Sequence, residues 1–369
     1  MRTFDYRHLP RSLFDGKVGD ANVRLYEDKG KLQLLKRDHR DQLEGLCAEA
    51  HLESVDASTR IEGIYIDAAR VRELVVGAAT PADETEAQVV GYSNALRLVE
   101  ESGARADGAR AGDGVQSDAP AGDDVGTLDL STVSILKLYE ALYAHRQLGR
   151  KSRYRKKDYL FVQVDGHPQA MPVSPITAFE TPLVLGGACD SLADAFVADA
   201  CSPLILSAVF TVDFLCIRPF DEGNGRIARL FASLMLDAAG FDVFRYVSVD
   251  RIIERKAMAY YDALNACVDK WDRASNDYAP YVLFWLDVVH AAYQELFAKV
   301  DLHLSANNSK SELVRLFVSQ AQGAVSKRQV LAALPSVSEA TVESTLGKMV
   351  REGQVEKVGA GRATAYRRV

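Results

Sequence analysis

The sequence lacks the features that mark membrane proteins, secreted proteins and proteins held together by metals. No apolar run approaches the roughly 18–20 residues that a membrane-spanning helix needs, and the first residues contain no apolar signal region. The five cysteines are scattered and include no CxxC pair, which argues against structural zinc and a disulfide framework. We therefore expect a cytoplasmic protein in a reducing compartment.

The composition is that of an ordinary globular protein, but the charge is unevenly distributed. Hydrophobic residues make up 48% of the 369 residues and charged residues 26%, which is enough for a sizeable core and for two domains with a further small unit. The net charge of −7 divides into +5 for residues 309–369 and −12 for the residues before them. A basic tail on an acidic body predicts a separate module with an anionic partner.

The spacing of apolar residues predicts a mostly α-helical protein in five segments. The body is helical apart from one β-hairpin at 159–173, where Asp165-Gly166 favours a tight turn. A Gly/Ala/Asp-rich stretch has too few large aliphatic residues to offset its ordering entropy and is predicted to be a flexible loop. The segments are N-terminal helices (1–100), the flexible loop (101–127), the helical core (128–300), a linker (301–310) and the tail module (311–369).

Residues 218–229 form the stretch most suited to chemistry. Two glycines around an asparagine, at 223–225, allow consecutive backbone N–H groups to converge on an anion, and the helix that follows adds its positive end. Arg226 and Arg229 lie three residues apart and therefore face the same side of that helix, where they can bind phosphate oxygens. Glu222 supplies an oxygen ligand for Mg²⁺ beside those phosphates.

From Pro219 to Arg229 this stretch resembles the signature of Fic/Doc proteins, His-Pro-Phe-x-(Asp/Glu)-Gly-Asn-Gly-Arg-x-x-Arg, at every fixed position except the first. Members of that family typically transfer AMP from ATP to a Ser, Thr or Tyr hydroxyl of a target protein. The resemblance implies a Fic-type helical core with a hairpin flap, and ATP with Mg²⁺ as the cofactors. It implies an anion hole at Gly223–Gly225, phosphate contacts from Asn224 and Arg226, a γ-phosphate contact from Arg229 and a metal ligand at Glu222.

Two further features take their meaning from the resemblance. The hairpin at 159–173 corresponds to the flap on which the family docks the target protein by strand pairing. Tyr260 and Tyr261 are candidates for lining the adenine pocket, although aromatic residues in a helix are more often part of the core.

Arg218 is the departure from the signature, because it stands where the family has its catalytic histidine. That histidine takes the proton of the attacking hydroxyl, which requires a neutral imidazole. Arginine stays protonated and has no acceptor nitrogen. We therefore expect this chain to be inactive or strongly impaired in AMP transfer. It is either an inactivated form of an active enzyme or a natural variant with another task, and the residues leave both open.

A second match lies about 165 residues before the signature. Ser58-Thr-Arg-Ile-Glu62-Gly63 fits the (Ser/Thr)-x-x-x-Glu-(Gly/Asn) pattern of the inhibitory helix found in many Fic proteins, and we place that helix at about 55–64. The resemblance implies that Glu62 pairs with Arg229 and withholds its guanidinium from the γ-phosphate. The alternative is an ordinary helix with an exposed glutamate.

The tail module contains three predicted short helices followed by a second hairpin, which resembles a winged helix-turn-helix. Its partner is DNA or protein; Glu339 and Glu343 on the third helix weaken the case for DNA because they would face phosphates. Three alternatives to the transferase remain: a nucleotide-binding pseudoenzyme, a DNA-binding regulator acting through the tail, and an enzyme that removes AMP. A homo-oligomer is also open.

Overall fold

The computed structural model describes most of the chain, and that part is mainly helical, as predicted. Among these residues, no helix is both long enough and apolar enough to cross a membrane. The chain separates into two compact units, residues 1–296 and 297–369. The described residues are 2–14, 16–111, 128–146, 154–158, 161–163, 170–172, 176–307, 310–321, 323–334, 337–359 and 364–368.

The first unit is a helical assembly with one small hairpin. The hairpin pairs β1 (Phe161–Gln163) with β2 (Ala170–Pro172) in antiparallel register, which confirms the predicted hairpin; its turn lies outside the described residues. The helices are α1 (Gly16–Asp38), α2 (Arg40–Ile61), α3 (Ala68–Val75), α4 (Glu84–Ala111), α5 (Thr132–Leu142), α6 (Thr181–Val197), α7 (Pro203–Ile217), α8 (Asn224–Ala238), α9 (Val249–Arg255), α10 (Ala257–Val268) and α11 (Ala279–Asn307), whose residues up to 296 belong to this unit.

Helices α7 and α8 form the centre of this unit. Every residue of α7 from Leu204 to Ile217 is buried, as its almost uniformly apolar sequence requires, since a helix that is hydrophobic on all sides belongs inside a core. Helix α8 packs against α7 and buries most of its own residues, including Arg226 and Arg229. The loop that joins the two helices, which carries the signature, is therefore held at the middle of the unit.

A buried carboxylate on α7 fixes the N-terminal segment to the core. Asp213 is fully buried and accepts hydrogen bonds from the hydroxyls of Tyr6 and Tyr278, both at 2.8 Å, and from the indole Nε1 of Trp271 at 2.6 Å. Arg2 forms an ion pair with it at 3.4 Å. Burial raises the pKa of Asp213, and the charge of Arg2 opposes that shift.

The flexible loop was predicted to begin at residue 101, but helix α4 continues to Ala111, so the predicted start is wrong. Alanine has the highest helix propensity, and residues 101–111 at the end of α4 are rich in alanine. The extension is also held by tertiary contacts: Ser102 is buried and accepts a hydrogen bond from the Leu128 N–H at 2.8 Å, and Gly103 lies so close to Asp237 that a Cβ has no room. The rest of that loop, 112–127, lies outside the described residues. Similarly, α11 runs into the segment predicted as a linker, so residues 301–307 are helical.

The second unit has the three predicted helices and the predicted C-terminal hairpin. They are α12 (Lys310–Gln320), α13 (Lys327–Ala333), α14 (Glu339–Arg351), β4 (Val355–Val358) and β5 (Ala365–Arg368). A short strand, β3 (Val325–Ser326), was not predicted; it completes an antiparallel sheet of order β3-β5-β4. Ser338 caps α14, accepting the Thr341 N–H at 3.3 Å. The core consists of Val314, Val318, Val325, Val330, Val337, Val342, Leu346, Met349 and Val355.

Replacement of Asp213 by asparagine tests the anchor on α7. Asp213→Asn leaves the Arg2 guanidinium without its charged partner, and breaking a buried pair in this way typically costs about 3–5 kcal/mol. We expect a loss of that size in the free energy of unfolding, measured by urea denaturation. Asp194→Asn is the control, because that side chain is 73% exposed and lies 4.0 Å from Arg7; equal losses in the two variants would contradict the anchoring role.

Candidate active site

The loop between α7 and α8 is shaped to leave the first N–H groups of α8 available. Gly223 precedes α8 with a left-handed backbone (φ +74°) and has no side chain to cap the helix. The Asn224 side chain closes the loop instead, accepting the Phe220 N–H at 3.1 Å and donating to the Phe220 carbonyl at 2.9 Å. What Asn224 presents to an anion is therefore its backbone N–H, at a helix end that favours negative charge.

Arg226 is a buried cation whose hydrogen-bonding capacity is only partly used. Its Nη2 donates to the hydroxyl of Tyr143 at 2.8 Å and to the Gln88 side chain at 2.9 Å. Its Nε and Nη1 are buried and have no partner among the described residues. Buried polar groups are normally hydrogen-bonded, so these two nitrogens indicate a binding site for an anion with several oxygen atoms.

Arg229 is buried as well, and its Nε and Nη2 both have partners. Its Nε donates to Asp250 at 2.7 Å, and its Nη2 donates to Ser58 at 2.8 Å and to Glu62 at 3.3 Å. Burial alone would lower the pKa of Arg229, but the charges of Asp250 and Glu62 outweigh it and hold that pKa above its ordinary value. The predicted contact between Glu62 and Arg229 is thus confirmed, and Asp250 is a partner that the sequence did not reveal.

The end of α2 places the Glu62 carboxylate against the first turn of α8. The helix ends at Ile61, and Gly63 adopts the left-handed conformation (φ +78°) typical of a helix C-terminus, with the Ile64 N–H bonded to the Thr59 carbonyl at 3.0 Å. A Cβ on Gly225 would lie 3.0 Å from the Glu62 carboxylate, so glycine permits this approach. The helix predicted at about 55–64 is the final part of α2.

Glu222 has a partner that the sequence analysis missed. Its carboxylate, 42% exposed, forms an ion pair with Arg146, which also pairs with Glu84 and lies 4.7 Å over the ring of Tyr143. No group of three or more His, Cys, Asp or Glu side chains suited to a metal occurs in the described part of the chain. Mg²⁺ commonly uses one or two carboxylates together with substrate phosphates, so Glu222 beside the anion site fits it as a single protein ligand.

The two tyrosines proposed for the adenine pocket have different surroundings. Tyr260 is buried and packs against the rings of Tyr281 and Phe284, as a core residue does. Tyr261 is partly exposed, and its hydroxyl lies 3.5 Å from the Ile61 carbonyl, one residue before Glu62. Of the two, Tyr261 is the better placed to meet a ligand near the end of α2.

Arg155 connects the base of the hairpin to the signature loop, a role not visible in the sequence. Its side chain is buried and donates to the Ile176 carbonyl at 2.6 Å, and its backbone N–H donates to the Pro219 carbonyl at 2.8 Å. Next to Pro219, Arg218 ends α7 in a left-handed conformation (φ +47°). The chain on both sides of the hairpin is thus connected, through Arg155, to Pro219, the residue that follows the position of the signature histidine.

Comparison with known families agrees with this arrangement. The family described as "Fic/DOC family" matches residues 129–236, a range that contains the hairpin, α7 and the loop with its arginines. The chain carries a Fic/DOC domain. Fic domains in general transfer a nucleoside monophosphate to proteins. Glu62 and Asp250, the two carboxylates on Arg229, lie outside the matched range.

Solved structures of Fic proteins share the fold. A Fic family protein from Desulfovibrio desulfuricans G20 is 20% identical, with a TM-score of 0.56 over 95% of this chain and 96% of that one. A signaling protein with a Fic domain from Bacteroides thetaiotaomicron VPI-5482 is 17% identical, with a TM-score of 0.55 over 76% and 96%. Residues 134–508 of Fic-1 from C. elegans are 17% identical, with a TM-score of 0.55 over 77% and 73%. A search of curated protein sequences gave no match.

Substitution of Gly223 tests how closely the loop is fitted around Tyr143. In Gly223→Ala, the new Cβ lies 2.8 Å from the Tyr143 hydroxyl at a left-handed backbone. Gly77→Ala is a matched control, with the same φ of +74° and nothing within 4 Å. We expect thermal or urea unfolding to show a loss of about 1–2 kcal/mol for Gly77→Ala, and about 1–3 kcal/mol more for Gly223→Ala. Equal losses would mean that Tyr143 moves away without cost.

Proposed function

We propose that this protein binds ATP with Mg²⁺ at the first turn of α8 and has the AMP-transfer machinery of a Fic protein, which is held inactive in two ways. The observation that carries the proposal is the buried Arg226, whose two unpartnered donors lie at an uncapped helix N-terminus. A single feature of this kind is common, but a helix end and a buried, underused guanidinium together are suited to a polyphosphate.

The roles of the site residues follow from their positions. The backbone N–H groups of Gly223–Gly225 and the Arg226 guanidinium hold the inner phosphates, and Arg229 binds the γ-phosphate. Glu222 is the residue that would hold Mg²⁺. Arg146 would then have to move away from Glu222, because Arg146 and Mg²⁺ are both positively charged. Mg²⁺ held there would supply positive charge that offsets the charge of the phosphates. The hairpin at 159–173 docks the target protein, and Tyr261 faces the adenine.

Arg218 is the first block, because it removes the proton acceptor. In AMP transfer a target hydroxyl oxygen bonds to the α-phosphorus, the bond from that phosphorus to pyrophosphate breaks, and the hydroxyl proton passes to a base. A guanidinium is already protonated and has no lone pair for this proton. Loss of a general base typically slows a reaction by about 10²–10⁴-fold, so the chain binds nucleotide but transfers AMP poorly.

Glu62 is the second block. Its carboxylate contacts Arg229 at 3.3 Å and lies against Gly225, where a phosphate on the first turn of α8 would also have to lie. Two anions that share one guanidinium in a small space repel each other. The γ-phosphate therefore meets Arg229 well only after Glu62 has turned away, and until then the α-phosphate is misaligned.

Variants at positions 218 and 62 separate the two blocks. We expect Arg218→His to allow transfer of AMP, detected by mass spectrometry as an AMP adduct on this chain or on lysate proteins, because the rest of the signature is intact. Arg218→His with Glu62→Gly should transfer faster, and Glu62→Gly alone should not transfer. Calorimetry with Mg²⁺ and ATP on each variant provides the binding control.

Each outcome of this experiment supports or contradicts one interpretation of the site. Equal rates with and without Glu62 in the Arg218→His background would show that the end of α2 does not inhibit. A double variant that binds ATP but forms no adduct would favour the nucleotide-binding pseudoenzyme. Absence of any ATP binding at millimolar concentration would contradict the proposal itself.

A second candidate function belongs to the second unit, whose order of three helices and a hairpin is the one predicted from the resemblance to a winged helix-turn-helix. The acidic residues that weakened the case for DNA are paired: Lys327 contacts Glu339 at 2.7 Å and Glu343 at 2.5 Å. Besides Glu343, the exposed residues of α14 include the small Ala340 and Ser344, and Lys348 and Arg351 follow towards its C-terminal end. Small residues followed by two cations suit a helix that approaches a phosphate backbone with its C-terminal half, and we propose duplex DNA as its ligand.

Removal of two cations from α14 tests this DNA contact. We expect Lys348→Ala with Arg351→Ala to weaken binding to duplex DNA and to reduce the slope of log K against log salt by about 2, because two phosphate contacts are lost. Lys156→Ala with Lys157→Ala, an exposed pair of cations on the first unit, is the control of equal charge. Fluorescence anisotropy from 50 to 200 mM salt measures both. Equal effects of the two double variants would show that the contact is not at α14.

A further inference from the structure

Arg229 has two carboxylate partners in very different surroundings. Asp250 lies 2.7 Å from its Nε, and the two side chains are 2% and 1% exposed. Glu62 lies 3.3 Å from its Nη2 and is 26% exposed. The two carboxylates therefore use different atoms of one guanidinium. The contact with Asp250 is shorter and buried from solvent, whereas the contact with Glu62 is longer and partly exposed to solvent.

Asp250 is itself held in place. Its second oxygen accepts a hydrogen bond from the hydroxyl of Tyr92 on α4 at 2.7 Å. It lies in the first turn of α9, which begins at the cap residue Ser248, whose side chain accepts the Arg251 N–H at 3.0 Å. Both oxygens of Asp250 thus have assigned partners, and its backbone belongs to a capped helix.

Departure of Glu62 therefore leaves Arg229 neutralised and oriented. The Nε–H stays bonded to Asp250, and Ser58 remains 2.8 Å from Nη2. A second carboxylate on the other edge of a guanidinium restricts its rotation, as partners behind a ligand commonly do. The Nη2 edge at the first turn of α8 is then available to an anion without movement of the arginine.

We propose that Asp250, oriented by Tyr92, is the positioning residue that holds Arg229 ready for the terminal phosphate of the nucleotide. Glu62 then inhibits by occupying one edge of a fixed guanidinium, and not by pulling the guanidinium away. This inference rests on the proposed function, since it concerns the γ-phosphate contact of the same site. A purely structural role of Asp250 would affect stability and all nucleotides alike.

The ratio of ATP to ADP affinity distinguishes the two roles, because ADP lacks the γ-phosphate. In a Glu62→Gly background, we expect Tyr92→Phe to lower the ATP-to-ADP affinity ratio about fivefold, since one hydrogen bond that orients Asp250 is lost while its charge is kept. Asp250→Asn should lower the ratio further. ADP affinity should stay within about twofold, because Arg226 and the helix end hold the inner phosphates.

Tyr6→Phe is the matched control. The Tyr6 hydroxyl also donates to a buried aspartate, Asp213, at 2.8 Å, in a different part of the core. It should cost similar stability to Tyr92→Phe and leave the ATP-to-ADP ratio unchanged. Calorimetry gives the affinities, and thermal unfolding confirms that each variant is folded at the temperature used.

Nitrogen-15 NMR of the Arg229 Nε–H provides a readout that needs no nucleotide. We expect this proton to remain protected from exchange in Glu62→Gly and to lose protection when Asp250→Asn is added. Loss of protection in Glu62→Gly alone would overturn the inference, as would an unchanged affinity ratio in both Tyr92→Phe and Asp250→Asn. Failure of Glu62→Gly to bind either nucleotide would count against the proposed function instead, and the NMR result would still decide the role of Asp250.

Discussion

The guanidinium of Arg229 carries a full positive charge inside a helical core, and the need to neutralise it determines how four helices meet. An isolated ion is strongly disfavoured in a medium of low dielectric constant unless it is paired and hydrogen-bonded. Here α9 supplies Asp250, α2 supplies Ser58 and Glu62, and α4 reaches the same cluster through the bond from Tyr92 to Asp250. Packing and the candidate site therefore share one set of contacts, and a change that loosens α2, α4 or α9 also alters the surroundings of Arg229.

The attachment of α2 also constrains how the proposed inhibition by Glu62 could be relieved. Two contacts hold α2 to α9 independently of Glu62: Ser54 donates to Ser248 at 2.9 Å, and Arg251 donates to Asp56 at 2.6 Å. Relief that required the whole helix to detach would have to break both contacts, together with the apolar packing around them. A rotation at the end of the helix breaks neither. Glu62 is the last residue before a left-handed glycine and is partly solvated, so its side chain is the part of α2 that moves at least cost.

The sequence was most informative where function depends on a local pattern. Residues close together in the chain were enough to predict the stretch from 218 to 229, the Glu62 motif, the hairpins and the helical class. The contact between Glu62 and Arg229, which are far apart in the chain, was predicted from their opposite charges and from the resemblance to Fic proteins. Asp250, Arg146 and Arg155 could not be found in this way. Asp250 looks like an ordinary acidic residue in the first turn of a helix, where it is favourable in any protein; only the approach of α8 turns it into a partner of Arg229. The end of α4 was missed for a related reason, since contacts with Leu128 and Asp237 stabilise a turn whose composition is typical of a loop.

The backbone at Arg218 is held in a left-handed conformation by contacts that are independent of its side chain. A non-glycine residue in the left-handed region costs about 1–2 kcal/mol, and it persists only where its surroundings impose it. Here α7 precedes it, Arg155 binds the carbonyl of Pro219, and Asn224 binds both polar groups of the Phe220 backbone. None of these contacts involves the side chain at position 218. The loop therefore sets the direction of that side chain whatever its chemistry, and a histidine there would inherit the same backbone. Arginine at this position carries a permanent positive charge and has no proton acceptor, which fits the proposal that the chain binds phosphate but transfers AMP poorly.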